Sequence, residues 1–179
     1  MNIIFAGSPY CSAKILDSLF NESDLNIKAV ITQPDKRGKR GNKLIESAVA
    51  RKARSLNIRT LKPLNLNNKA LKSKLLTLDV EFLIVVAYGK LIPNWLLDLP
   101  KVSPINVHFS ILPKYRGASP IQSAILNGDP KSGISIIKIN NELDSGDIYS
   151  TFEQNVTEND DKISLEKKLT KLCTCLLYT

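Results

Sequence analysis

The stretch Glu81-Phe82-Leu83-Ile84-Val85-Val86-Ala87 decides the fold. After its first residue it is apolar without alternation, of strand length and rich in β-branched residues. That is the pattern of a strand buried on both faces of a parallel sheet. Outward from it toward the start of the chain, residues 2–6 have the same buried-strand character, and Gly7-Ser8-Pro9 turns the chain. Residues 11–20 place Ala13, Leu16, Leu19 and Phe20 at helical spacing. A β-branched strand at 27–32, a basic loop at 33–46, a helix at 47–56, a short strand near 59–61 and a leucine-bearing helix at 68–78 lead up to the central run. Beyond it come a short helix at 93–99 with Pro93 near its first turn and a strand at 104–108. A helix then runs from about Pro120 to Leu126 and is stopped by Asn127-Gly128.

Strand and helix alternating in this way predict an α/β protein with an open, mostly parallel, doubly wound (Rossmann-like) sheet. Residues 132–139 and 146–152 follow each other without a helix between them, which predicts a hairpin added at one edge. Residues 163–179 read as one helix.

The chain of 179 residues is long enough for one domain with a full core. The longest apolar stretch, residues 82–88, is far too short to span a bilayer. The first seven residues have no basic leader before their apolar run and read as a strand, not a signal peptide. Cys11, Cys173 and Cys175 lack a C-x-x-C spacing, and with a single histidine no zinc site can be assembled, so no metal is expected. The thiols read as reduced, which suits a cytoplasmic protein. Neither G-x-G-x-x-G, G-x-x-x-x-G-K-[ST] nor G-x-S-x-G is present, which excludes dinucleotide, P-loop and nucleophile-elbow readings.

Charge is concentrated. Residues 36–62 hold ten Lys or Arg against the single acid Glu46, while the whole chain carries a net charge of +8. The tightest cluster is Lys36-Arg37-Gly38-Lys39-Arg40-Gly41. A Gly-bearing basic loop suits a polyanion such as nucleic acid; a solvated face on a basic protein is the plainer reading. On the residues alone both stay open.

The only histidine, His108, lies in Pro104-Ile105-Asn106-Val107-His108-Phe109-Ser110. Alternation puts Asn106 and His108 on one face of a strand, with Pro113 and Gly117 breaking regular structure just after its carboxyl end. In open α/β sheets ligands bind at such ends. An amide donor beside an imidazole suits acyl transfer, where one group polarises a carbonyl and the other stabilises charge or moves protons. A lone strand histidine is more often structural, and Asp144 in Leu143-Asp144-Ser145-Gly146 has the chemistry of an ordinary turn. Placed beside the imidazole, that carboxylate would orient it. Ser110 reads as a loop residue, not a nucleophile.

Taken together, several segments carry a resemblance. They are Ile4-Phe5-Ala6-Gly7-Ser8-Pro9, Thr32-Gln33-Pro34-Asp35, Val85-Val86-Ala87-Tyr88-Gly89, Asn106-Val107-His108-Phe109-Ser110-Ile111-Leu112-Pro113, Tyr115-Arg116-Gly117-Ala118-Ser119-Pro120-Ile121-Gln122 and Leu143-Asp144-Ser145-Gly146-Asp147. The chain resembles the folate-dependent formyltransferases over nearly its whole length, and within them the branch whose acceptor is methionyl initiator tRNA. The resemblance implies transfer of a formyl group from 10-formyltetrahydrofolate, with Asn106, His108 and Asp144 as the catalytic trio. It implies folate contacts at Ser110, Ile111, Leu112 and Pro113, with Val86, Ala87, Tyr88, Gly89 and Leu91 as pocket walls. The basic loop, with Lys36, Arg37, Lys39, Arg40 and Lys43, corresponds to the part that reaches the tRNA acceptor end.

Members of the family continue into a carboxyl-terminal OB-like domain. Residues 1–179 are therefore expected to be the catalytic domain alone, truncated at its last helix, working as a monomer in a bacterial cytoplasm or organellar matrix. Two alternatives stay open: a non-catalytic remnant that binds RNA weakly, and a formyltransferase acting on a small amine such as glycinamide ribonucleotide or an amino sugar.

Overall fold

The computed structural model describes residues 1–38 and 43–176. The chain divides into two compact units, Met1–Pro104 and Ile105–Thr179.

In the first unit, β1 (Asn2–Gly7) pairs in parallel with β2 (Asn26–Ile31) on one side and β6 (Phe82–Val86) on the other, and β2 pairs in parallel with β5 (Thr60–Leu61). Ile3, Ile4, Phe5 and Ala6 are buried, as are Leu83, Ile84, Val85 and Val86, so the two non-alternating apolar runs lie side by side. Gly7 ends β1 in a tight place: a Cβ there would stand 2.8 Å from Val86 O. The helices α1 (Tyr10–Phe20), α2 (Ala48–Ser55), α3 (Lys69–Leu76) and α4 (Asn94–Leu97) complete the unit, and α1 packs against α2. Capping follows the sequence: Ser47 Oγ accepts from Ala50 N–H at 2.9 Å, and Asn68 Oδ1 from Leu71 N–H at 3.0 Å. The predicted helix at 93–99 is shorter than expected, a single turn of four residues.

The basic segment also differs from the expected loop. It contains a two-stranded antiparallel ribbon of β3 (Lys36–Arg37) and β4 (Leu44–Ile45), which alternation could not reveal in strands two residues long.

In the second unit, β7 (Ser103–His108, which begins just before the division) pairs antiparallel with β8 (Lys131–Lys138), and β8 with β9 (Ile148–Asn155). The expected hairpin is therefore present, its strands shifted by one to three residues from the expected bounds. Helices α5 (Pro120–Leu126) and α6 (Lys162–Leu176) pack on one another and on β8. Leu165, Leu169 and Cys173 supply the buried stripe of α6 at helical spacing. Residues 177–179 of the expected last helix, like Lys39 and Arg40 of the basic cluster, lie outside the described residues.

Candidate active site

Strand alternation at β7 turns Asn106 and His108 the same way, and the turn between β8 and β9 brings Asp144 to both. Asn106 Nδ2 donates to Asp144 Oδ1 at 3.2 Å. The other carboxylate oxygen, Oδ2, accepts from Gly117 N–H at 2.8 Å and lies 3.5 Å from His108 Nδ1. The side chains of His108 and Asp144 are only 7% and 10% exposed, so their pairing is shielded from water.

The second ring nitrogen of His108 is also engaged. Nε2 lies 2.9 Å from Tyr115 O. A carbonyl can only accept, so Nε2 carries a proton. Three residues at this site hold left-handed backbone: Asp144 (φ 48), Tyr115 (φ 58) and Gly117 (φ 98). Aspartate and glycine tolerate that region; a tyrosine there is uncommon and is maintained by its surroundings. Tyr115 Oη donates to Asp129 Oδ2 at 2.8 Å, which ties the loop back to the end of α5. That hydrogen bond also raises the Tyr115 phenol above its ordinary pKa.

Ser110 and Leu112 form the floor of the same loop. Ser110 is buried, donates through Oγ to Lys114 O at 2.6 Å, and its own carbonyl accepts from Ser135 Oγ at 2.8 Å. Ser135 Oγ in turn accepts from Leu112 N–H at 3.1 Å. Ile111 is half-buried and Pro113 exposed.

The remaining predicted residues belong to the first unit. Its chain runs outward from β1 through β2 to β5 and returns on the far side of β1 as β6. The carboxyl ends of β1 and β6 therefore flank a topological switch point, where open α/β sheets bind ligands. The turn there is Ala87 (φ 45), Tyr88 and Gly89 (φ 79), and both Ala87 and Gly89 are exposed. Tyr88 O accepts from Gln33 Nε2 at 2.9 Å and from Ser8 Oγ at 3.3 Å. The Val86 side chain points into the core, and its carbonyl accepts from Ser12 Oγ at 2.7 Å. The Tyr88 ring is buried too; its hydroxyl has no hydrogen-bond partner, and burial pushes its pKa up to about 12. Leu91, at 84% exposure, is the large apolar side chain of this group that faces solvent. Lys36, Arg37 and Lys43 are exposed on the basic ribbon.

Four supporting residues escape sequence reasoning: Tyr115, Gly117, Asp129 and Ser135. Ser135 left a faint signal, a hydroxyl inside the apolar run 134–137. The others act through backbone groups or partners distant in sequence. No group of three or more His, Cys, Asp or Glu among the described residues could hold a metal ion, and none of the described helices is long and apolar enough to cross a membrane.

Residues 1–178 match the family model described as formyl transferase. The chain belongs to the formyl transferase family. Among its relatives in the family, methionyl-tRNA formyltransferase of Buchnera aphidicola subsp. Schizaphis graminum is 44% identical over 172 residues, covering 96% of this chain and 54% of that protein. The enzyme of the same name from a Sulfurihydrogenibium species is 43% identical over 170 residues, again covering 54% of its length. The chain thus spans about half the length of the curated relatives it matches. Solved structures of formyltransferases share the fold. Phosphoribosylglycinamide formyltransferase from Bacillus halodurans superposes with a TM-score of 0.78 at 19% identity, covering 98% of this chain and 91% of that one. A sugar N-formyltransferase from a Shewanella species gives 0.71 at 17% identity, covering 99% and 66%. The α/β, Rossmann-like architecture expected from the sequence is the architecture of the family.

Proposed function

We propose that residues 1–179 form the catalytic domain of an enzyme that moves a formyl group from 10-formyltetrahydrofolate to the amino group of methionyl initiator tRNA. The observation that carries this reading is the Asn106–His108–Asp144 cluster, an amide and a buried imidazole held on one carboxylate. The 10-formyltetrahydrofolate supplies an activated formyl carbon.

Asn106 has two amide hydrogens and gives one to Asp144, leaving the second to meet the negative charge that builds on the formyl oxygen. A protonated His108 stabilises the same charge. Its long, 3.5 Å approach to Asp144 is a contact that can tighten or yield as the acceptor arrives. Asp144 orients the imidazole and takes the proton of the attacking amine through water. The new C–N bond to the acceptor forms first; as the charge on the formyl oxygen returns to rebuild the carbonyl, the C–N bond to the donor breaks and the proton taken from the amine is passed, through water, to the leaving donor nitrogen.

The residues fit a flat, heteroaromatic donor. Ala87 and Gly89 present backbone with little side-chain bulk at the strand ends, and Leu91 offers exposed apolar surface in the same segment. Ser110, Ile111, Leu112 and Pro113 are assigned to the donor as well, with Val86 and Tyr88 acting through their backbone groups. Lys36, Arg37, Lys39, Arg40 and Lys43 are assigned to the phosphates of the tRNA acceptor end. The enzyme is taken to act as a monomer, in a bacterial cytoplasm or an organellar matrix. The two named relatives act, by their names, on methionyl-tRNA, which favours that acceptor over a small amine.

The test is formyl transfer by the purified chain, given 10-formyltetrahydrofolate and methionyl initiator tRNA at low salt, with Asn106→Ala as the blank. Transfer above the blank is expected. Absence of both transfer and folate binding overturns the reading. Joint replacement of Lys36, Arg37, Lys39 and Arg40 by alanine should weaken use of tRNA; unchanged transfer would sink the tRNA assignment and leave a small-amine acceptor.

A further inference from the structure

The basic ribbon springs from a base that is closed by side chains at successive levels. At the bottom, Thr32 Oγ1 and Ser47 Oγ are 2.7 Å apart. One level up, Lys62, just after β5, reaches in with its ammonium. Its Nζ lies 2.7 Å from Asp35 Oδ1 and 2.8 Å from Glu46 Oε1. Asp35 precedes β3 and Glu46 follows β4, so one cation joins both ends of the ribbon segment. Glu46 is held further: Oε2 takes Arg54 Nη1 at 2.6 Å, and its backbone carbonyl takes Arg51 Nη1 at 2.6 Å. Above the clamp the strands pair, Lys36 opposite Ile45 and Arg37 opposite Leu44, and Gly38 N–H donates to Lys43 O at 3.0 Å.

We propose that Lys62 is a positioning residue for this ribbon: bridging Asp35 and Glu46, it presets Lys36, Arg37 and Lys43 for an RNA phosphate backbone. The proposal rests on the tRNA reading above and adds a specific cause for the ribbon's order. Two-residue strands cannot hold a ribbon by ladder bonds alone. Asp35 and Glu46 are placed where bare carboxylates would repel an RNA backbone. With Asp35 paired to Lys62, and Glu46 to Lys62 and Arg54, the two acids, 26% and 24% exposed at their side chains, serve as anchors. Lys62 is itself only 27% exposed at its side chain, so its charge is used internally and not offered to a ligand. A ribbon ordered before binding loses less conformational freedom on meeting RNA.

The test compares Lys62→Met, Lys62→Arg and the double variant Asp35→Asn/Glu46→Gln in the full chain. Formyl-transfer kinetics are read together with anisotropy of labelled initiator tRNA across a salt series. Lys62→Met should raise KM for tRNA about ten-fold while kcat and KM for the folate donor change by less than about two-fold. Lys62→Arg, which can still bridge two carboxylates, should restore most of it. The double variant decides between positioning and plain charge. It adds two positive charges to the net, so general electrostatics predicts tighter RNA binding; a lost clamp predicts weaker binding. Tighter or unchanged binding overturns the proposal. So does a salt slope that falls by about one in Lys62→Met, since that is the mark of a lost direct phosphate contact.

Backbone hydrogen exchange at Gly38 separates this from failure of the tRNA reading. If the unmodified chain neither binds nor formylates tRNA, that reading falls. The clamp is then judged on exchange: faster exchange at Gly38 in Lys62→Met upholds its ordering role, and unchanged exchange overturns it.

Discussion

His108 Nε2 lies 2.9 Å from the carbonyl oxygen of Tyr115, a residue whose φ of 58 aims that carbonyl back at the ring. With Asp144 on the other nitrogen, the imidazole is held between two acceptors. Its plane is thereby set by a strand, a turn and a loop that meet only in the folded chain. Orientation of this kind is what makes a general acid or an oxyanion donor effective.

Removing either donor should abolish most of the chemistry. Asn106→Ala and His108→Ala are each expected to lower turnover by about two to four orders of magnitude while the fold is retained. Single-turnover formyl transfer, with circular dichroism as the folding control, measures this; near-normal turnover in either variant removes the role assigned here.

Tyr115→Phe keeps the ring and deletes the hydroxyl that anchors the loop to Asp129. Turnover should fall about ten-fold, far less than for His108→Ala, because the carbonyl facing Nε2 is loosened, not lost. The imidazole 15N shifts should report a changed tautomer balance. An unchanged spectrum alongside a lowered rate would place the effect somewhere other than at His108.

Ser135→Ala strips the support from under the loop. Leu112 N–H would lose its acceptor and Ser110 O its donor, both in a buried place. A loss of roughly 1–3 kcal/mol in urea unfolding is expected for such unpaired groups. Folate affinity should weaken with it, as calorimetry would show; full stability in this variant contradicts the bonding described.

Tyr88 links stability to alkaline pH. Its folded pKa of about 12 stands above an ordinary phenol near 10 because burial disfavours the phenolate. The unfolded chain therefore gives up this proton first. The contribution of Tyr88 is intact below about pH 10 and is lost as pH rises toward 12. In Tyr88→Phe that share of the alkaline loss should disappear. At pH 8 the variant should match or exceed the parent, since the hydroxyl it removes has no partner. Urea midpoints at pH 8 and pH 11 check both points.

The fold was largely legible because its strongest signals are local. The apolar runs at 2–6 and 82–86 can only be buried on both sides, and Asn127-Gly128 marks the end of the helix that starts at Pro120. Strand periodicity also placed Asn106 beside His108. It could not show that Asp144, 38 residues after Asn106, closes on both, since its own segment reads as a turn and is one. The family resemblance supplied that partner; composition did not.

What the chain determines by itself is therefore the set of elements and the one face that carries an amide and an imidazole. Periodicity and capping act over a few residues and survive in any sequence that can form the element. Tertiary structure alone decided the contacts between distant segments: Tyr115 O on His108, Ser135 beneath Leu112, and Lys62 across Asp35 and Glu46. Each joins a side chain to a group brought near by the path of the backbone. Such a pairing leaves no period to read, because its spacing in sequence is set by the loops between and its geometry by the packing around it.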